Sequence, residues 1–345
     1  MFSWRRVAVA TAIALAVAVG TGVSGAEPVP FHPVTVEFPE EDHGWFLGRI
    51  CGPGFGVVDA YSQTTSDAFD GSAMIRIEGE WLAVDGETVD RTEEDGDVVV
   101  RAAMVGVSGL EADVEFRLFS HDVVRHVLTL TNPGAEDVTV TVEHSSNWGA
   151  DDDSRLRTSS GDDATGPDDQ WVIGFADLDQ PGSWDTVPSV VYQGTGDLGS
   201  PVTALTATSL HWCSGLEGAT ATYEVVVPAG ESRSLAWFLT ITDPQGDVGG
   251  EGDLAPAATP EAQADAEAKT VAAATEFVAG SPLAVGLDYS TVVNWAPAQD
   301  PVDPVDPVDP VDPVDPAPTP APGPTPAAPA APAAQPVTAA PRFTG

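Results

Sequence analysis

Lysine is nearly absent from this chain: Lys269 stands alone beside twelve arginines. The 13 basic residues face 53 acidic ones, leaving a formal charge of −40 over 345 residues. Nucleic acids and anionic lipid surfaces bind through Lys and Arg that neutralise phosphate, so this balance excludes both as partners. The sequence also lacks a Gly-x-Ser-x-Gly elbow, a His-Glu-x-x-His pair and a phosphate-binding glycine loop. The hydrolase, metalloprotease and nucleotide chemistries that those motifs support therefore have no signature here. Cysteine is limited to Cys51 and Cys213, and the one apolar run, Val7–Val19, is too short to cross a bilayer comfortably.

That run has a meaning at its place in the chain. It follows Arg5 and Arg6 and precedes Ser24-Gly25-Ala26, the pattern of an export signal cleaved before Glu27. A mature chain without a membrane span is the expectation. An even cysteine count in an exported protein favours a Cys51–Cys213 disulfide, the alternative being two separate buried thiols. Such a bridge would close a loop of about 160 residues and contribute ~4–5 kcal/mol in the chain-entropy model. The acidity is either this chain's own surface character or an adaptation to salt, in which net charge maintains solubility.

From Val34 to Thr242 the dominant signal is alternation of period two, broken by turn residues. Ala112, Val114, Phe116 and Leu118 alternate with Asp113, Glu115 and Arg117. The spacing predicts a hairpin of Val124–Thr131 with Val138–Val142 across Asn132-Pro133-Gly134. A second pairs Ala221–Val227 with Ser234–Thr242 across Pro228-Ala229-Gly230-Glu231. Asp85-Gly86 and Asp95-Gly96 mark further tight turns. Other expected strands are Val34–Phe38, Gly56–Ala60, Ala73–Val84, Val98–Val107, Trp171–Ala176, Ser189–Tyr192 and Val202–Ser209. Strands in this number without interleaved helices predict an all-β fold, an antiparallel β-sandwich or supersandwich.

One helix is expected, at Pro260–Ala279, with Thr259 as its cap, Pro260 in its first turn and Gly280 as its stop. Its centre is alanine-rich, with Val271, Phe277 and Val278 as large apolar groups, which suits lying flat on a sheet. Trp295 closes the folded pattern. The expected organisation is a signal at 1–26, a sandwich at 27–255, a helical segment packed on it at 256–295, and a tail at 296–345. In that tail Asp-Pro-Val repeats from Asp300 to Val314, then Pro, Ala and Thr dominate. Proline fixes φ and removes donors, so a disordered, polyproline II stalk of up to ~150 Å is expected.

An export signal, a β-rich head and a Pro-Ala-Thr stalk with acidic repeats together resemble bacterial cell-wall surface proteins, and the Ala, Val, Gly, Pro and Asp bias suggests an actinobacterial source. Phe343-Thr344-Gly345 matches the last three positions of a Leu-Pro-x-Thr-Gly sorting signal, whereas Pro341 and Arg342 depart from its start. The resemblance implies a secreted or wall-associated protein, with a non-enzymatic adhesive or structural role.

Three groups of residues in the head are candidates for chemistry. Asp151, Asp152, Asp153, Asp162 and Asp163 share one long loop, and oxygen ligands at this density suit Ca²⁺. Their spacing departs from the Asp-x-Asp-x-Asp-Gly template, so a solvated Asp/Ser/Gly loop is the other reading. No other cofactor is implied. Trp148 and Trp184 sit in Gly/Asp-rich loops and suit stacking on a sugar of a cell-wall or extracellular glycan, whereas Trp171 and Trp237 lie in strands and belong to the core. Mutarotase-like supersandwiches use paired histidines with a glutamate, and His121, His144 and Glu143 fit those roles in a carbohydrate-binding or carbohydrate-active alternative. His126 is expected outward, or as a satisfied sheet residue.

Mass spectrometry of the exported protein should show Cys51 and Cys213 linked, two hydrogens lighter than the reduced form. Full alkylation of both thiols without reductant would exclude the bridge.

Overall fold

The computed structural model describes residues 27–30, 34–38, 43–50, 54–61, 68–69, 71–119, 123–149, 155–175, 187–208, 218–242, 260–280 and 286–296. The expected signal at 1–26 and the tail from 297 onward lie outside these residues. In chain order the strands are β1 (Glu27–Pro30), β2 (Val34–Phe38), β3 (His43–Ile50), β4 (Gly54–Tyr61), β5 (Met74–Ile77) and β6 (Glu80–Trp81). There follow β7 (Thr88–Glu94), β8 (Asp97–Val107), β9 (Leu110–Leu118), β10 (Val123–Thr131), β11 (Val138–Asn147) and β12 (Arg155–Thr158). The last are β13 (Trp171–Phe175), β14 (Ser189–Val191), β15 (Val202–Thr208), β16 (Gly218–Val227) and β17 (Ser232–Thr240), then one helix, α1 (Pro260–Val278).

The strands form an antiparallel β-sandwich with one C-terminal helix. A nine-stranded sheet has the order β1-β7-β8-β9-β10-β17-β14-β13-β12. A five-stranded sheet, β15-β16-β11-β5-β6, and a three-stranded one, β2-β3-β4, accompany it. One core joins all three, drawing Val100, Phe116, Leu128 and Trp237 from the large sheet, Val142 and Tyr223 from the second, and Trp45 and Leu47 from the third. Alternation explains the arrangement: Leu110, Ala112, Val114, Phe116 and Leu118 of β9 all point into this core.

Strand β17 does not alternate, because it is buried on both faces. Leu235, Trp237 and Leu239 enter the main core, while Ala236 and Phe238 enter a second one beneath α1. A strand covered on both faces reads as a continuous apolar run. The helix presents Ala266, Thr270, Ala274 and Phe277 to the sheet, and Phe277 stacks on Phe238 with ring centroids 4.8 Å apart. Small residues let the helix approach closely, and Phe277 and Val278 supply its large buried apolar groups.

Both expected hairpins are corrected by the pairing. β10 pairs with β9 and β17, whereas β11 pairs with β5 and β16. The Asn132-Pro133-Gly134 turn therefore carries the chain from one sheet to the other, and the 228–231 connection returns it between β16 and β17. Each strand had its apolar side facing one core, which local alternation cannot distinguish from a hairpin. The expected strand Ala73–Val84 is likewise divided into β5 and β6. Glu78 and Gly79 both take positive φ, 52° and 79°, as a two-residue hairpin turn requires.

Asn132 fastens the two crossings to each other. Its backbone N–H donates to Glu231 O (2.9 Å) and its carbonyl accepts from Gly230 N (2.9 Å). Its Nδ2 donates to Glu136 O (2.8 Å) and Val227 O (2.9 Å), and its Oδ1 accepts from Gly134 N (2.9 Å). The residue is 1% exposed, so these partners are its replacement for water. Asn132→Ala should lower the free energy of unfolding by about 2–4 kcal/mol, since it strands buried carbonyls. Urea titration tests this; a loss under 0.5 kcal/mol would show that the crossings hold without the amide.

Candidate functional site

Several sequence candidates lie outside the described residues: Cys51, Cys213, Asp151, Asp152, Asp153, Trp184 and His121. The rest are placed, and they do not converge. Trp148 is not a sugar platform in a loop. It is fully buried in the main core, against Phe69 at a centroid distance of 6.5 Å. Gly174 makes the space for it: a Cβ there would lie 2.5 Å from Trp148 Cγ, inside any permitted contact. Trp171 and Trp237 are buried, as their strand positions predict.

Asp162 turns inward on its own loop. Its carboxylate accepts from Thr158 Oγ1 (3.1 Å), Ser160 Oγ (3.1 Å) and Ala164 N (3.1 Å). The Ala164 N–H, then the two hydroxyls, hold its carboxyl below the usual range. Among the described residues, no three His, Cys, Asp or Glu side chains come together as a metal site.

The histidines give the clearest departure from expectation. His126 is not outward: it is fully buried, with its Nδ1 3.4 Å from His144 Nε2. This contact spans the sandwich, since His126 belongs to β10 and His144 to β11. Cross-strand register places His126 between Phe116 and Trp237. Its ring stacks on Phe116 at 4.2 Å and 6°, and His144 stacks on Trp237 at 4.2 Å and 25°. Among the described residues, His126 Nε2 and His144 Nδ1 have no hydrogen-bond partner. The proposed His144–Glu143 partnership is excluded by the strand itself. Adjacent residues point to opposite faces, and Glu143 lies on the outer face, 3.6 Å from Arg76.

Burial pushes His126 down to about 3. His144 is also held well below the usual value, by burial first and by His126 second. Both are thus neutral in the fold at neutral pH, and one donates to the other.

On the outer face of the large sheet, Arg101 and Arg117 are paired with carboxylates. Arg101 Nη1 meets Glu94 Oε1 at 2.7 Å and Arg101 Nη2 meets Glu115 Oε2 at 2.8 Å. Arg117 Nε donates to Asp97 Oδ2 at 2.7 Å. The hydrogen bond from Arg101 is the main reason that Glu94 titrates below its usual range. A carboxylate held ionised in this way is poorly suited to act as a general acid.

The end of the fold is fastened to the middle of that sheet. Val292 forms a parallel bridge with Ser234 of β17. Asn294 Nδ2 donates to Ala236 O (2.7 Å) and Tyr192 O (2.9 Å), and its Oδ1 accepts from Ala236 N (2.9 Å). Trp295 Nε1 donates to the same Ala236 carbonyl at 2.8 Å. The Trp295 ring lies edge-on to Phe238 at 5.1 Å and covers Gly194, where a Cβ would stand 2.9 Å from it. Backbone bonds Val293 N to Ser234 O (2.9 Å) and Ser200 N to Val293 O (2.8 Å) complete the clamp. Alternation signalled none of this, because the residues form no regular element; Trp295 was the sole visible sign.

No family model and no curated protein matches this chain. Among solved structures it is similar to a protein of Synechocystis sp. PCC 6803, with 13% identity, a TM-score of 0.40, and coverage of 61% of this chain and 96% of that one. It is similar also to a galactose mutarotase related enzyme from Lactobacillus acidophilus, with 10% identity, a TM-score of 0.37, and coverage of 63% and 100%. A polysaccharide lyase is 12% identical with a TM-score of 0.35 over 58% of this chain, which spans 32% of that enzyme. Scores at this level assign no activity.

The buried pair makes stability fall on acidification. Unfolded histidine titrates near 6.5 and the folded pair far lower, so the unfolded chain binds more protons between those values. Each histidine should cost about 1.4 kcal/mol per pH unit below ~6 until its folded value is reached. His126→Phe should flatten the decline between pH 6.5 and 5, where most carboxylates are still ionised. Parallel urea titrations at those two pH values test it; an unchanged slope would mean that His126 is not buried neutral.

Proposed function

We propose that this chain is an exported, non-catalytic β-sandwich module displayed on its proline-rich segment, with residues 286–296 passing force from that segment into the large sheet. The observation that carries this reading is the clamp. Chain ends are usually loosely held unless something ties them down. Here Asn294 and Trp295 tie the last described residues to the centre of β17, immediately before the Asp-Pro-Val repeats begin. One parallel bridge together with the side-chain bonds of Asn294 and Trp295 spreads a pull over several hydrogen bonds at once.

The placement of the polar groups supports a binding or structural role over catalysis. The two histidines face each other inside the core, and Glu94, Glu115 and Asp97 are engaged by arginines. An extracellular glycan is the partner that an exported adhesive module of this charge would meet. Polyanionic nucleic acid and lipid surfaces are repelled.

Force spectroscopy on residues 27–345, held through the proline-rich segment, tests the reading. Asn294→Ala removes three buried hydrogen bonds and should cost about 2–4 kcal/mol. It should lower the unfolding force relative to a surface variant of equal thermal stability. Equal forces would separate the clamp from any mechanical role. Turnover of a sugar by the purified chain, or glycan-array binding lost on Trp184→Ala, would favour the carbohydrate alternative.

A further inference from the structure

The edge strands of the two larger sheets are protected unequally. At β1, Pro28 and Pro30 have no N–H to offer a further strand, β12 carries Arg155 and Arg157, and β6 is two residues long. The edge strand β15 has none of these protections. Its seven residues, Val202–Thr208, hold no charge and no proline, and its one irregularity lies at its start, between Val202 and Ala204. A neutral edge of this length is a template for strand addition.

What covers it is the acidic loop between β12 and β13. Thr165 Oγ1 accepts from Ala207 N at 2.9 Å. The Ala207 N–H therefore points away from β16, and by alternation that of Leu205 does too. At the other end of the strand, Val202 N donates to Gln193 Oε1 (2.8 Å), while Gln193 Nε2 donates to Pro167 O (2.9 Å) and Asp169 O (3.1 Å). Asp169 gives the loop its shape. It is 3% exposed, and its carboxylate accepts from Ser159 Oγ (3.1 Å), Ser160 N (3.0 Å) and Gly166 N (2.9 Å). Asp162, Asp163 and Asp168 remain exposed.

We propose that the 159–170 loop is a guard on the β15 edge, and that its displacement lets β15 pair antiparallel with β15 of a second copy of this chain. Self-pairing about a two-fold axis uses one strand twice and needs no other sequence. Two chains of charge −40 repel over most of their surfaces, and an uncharged strand is where they approach with least repulsion. In place, the guard occupies edge donors and carries three exposed carboxylates that a like-charged copy must face. This device does not depend on whether the head is displayed under tension.

Hydrogen exchange and sedimentation on the full chain test the proposal. Asp169→Ala removes the acceptors that shape the loop. The Ala207 amide should then exchange at least tenfold faster, and the chain should dimerise at concentrations where the parent is monomeric. Thr165→Val, which leaves Asp169 in place, should give the same faster exchange with a weaker dimer, so the test stands even where Asp169→Ala fails to fold. Adding Ala207→Pro to either variant should abolish the dimer while β15 stays in its sheet, because that N–H is directed away from β16. Unchanged exchange, a monomer despite fast exchange, a dimer of the parent chain, or a dimer that survives Ala207→Pro would each overturn the proposal.

Discussion

Asn132 sits where the chain twice changes sheets, and the sandwich depends on the hydrogen bonds that it makes there. With its backbone and its amide together it reaches Glu231, Gly230, Glu136, Val227 and Gly134. Two connections that would otherwise be free to slide are thereby locked in a common register. Because the residue is buried, water offers the same groups no substitute. The strands on either side inherit their faces from this lock: Leu128 and Leu130 arrive at the core from one sheet, Val140 and Val142 from the other.

A separate chain of polar contacts runs through an otherwise apolar interior to residues 286–296. Trp237 Nε1 donates to the Tyr223 hydroxyl at 2.9 Å, and that hydroxyl donates to Tyr192 O at 2.8 Å. Asn294 donates to the same carbonyl at 2.9 Å. The five-stranded sheet, the nine-stranded sheet and the C-terminal clamp are thus linked through a single backbone oxygen. The His126–His144 contact lies beside this relay, with His144 stacked on Trp237. Buried polar links of this kind specify which sheet face meets which, at the cost of desolvating every group involved.

The two faces of the large sheet divide the chemistry. Toward the core, histidines and tyrosines are neutral and enclosed. Away from it, arginines and carboxylates neutralise one another, except where Glu115 must serve both Arg101 and Arg125.

Alternation in β8, β9, β11 and β16, the Asp95-Gly96 turn and the alanine-rich helix at 260–278 were all legible in the sequence. Each depends on neighbours within a few residues: pleat, positive φ or helical spacing. Strands β1 and β12 escaped notice because four residues carry too little period to be seen, and β3 and β7 because Gly44 and Gly48 interrupt the one and Val89 is the single apolar residue of the other. The hairpins around Asn132 and 228–231 were misread for a different reason. A strand's inward side chains look the same whether its partner lies beside it in one sheet or across the core in the other. The same ambiguity hid the inward turn of His126, and nothing local showed that Trp148, just beyond β11, is buried against Gly174, distant in sequence. The sequence by itself determined an all-β chain of strong negative charge, because composition and period two are local properties. Which sheet each strand joins, the meeting of His126 with His144, and the sharing of Glu115 by Arg101 and Arg125 were decided only by tertiary structure, because each arises from packing between residues far apart in the chain.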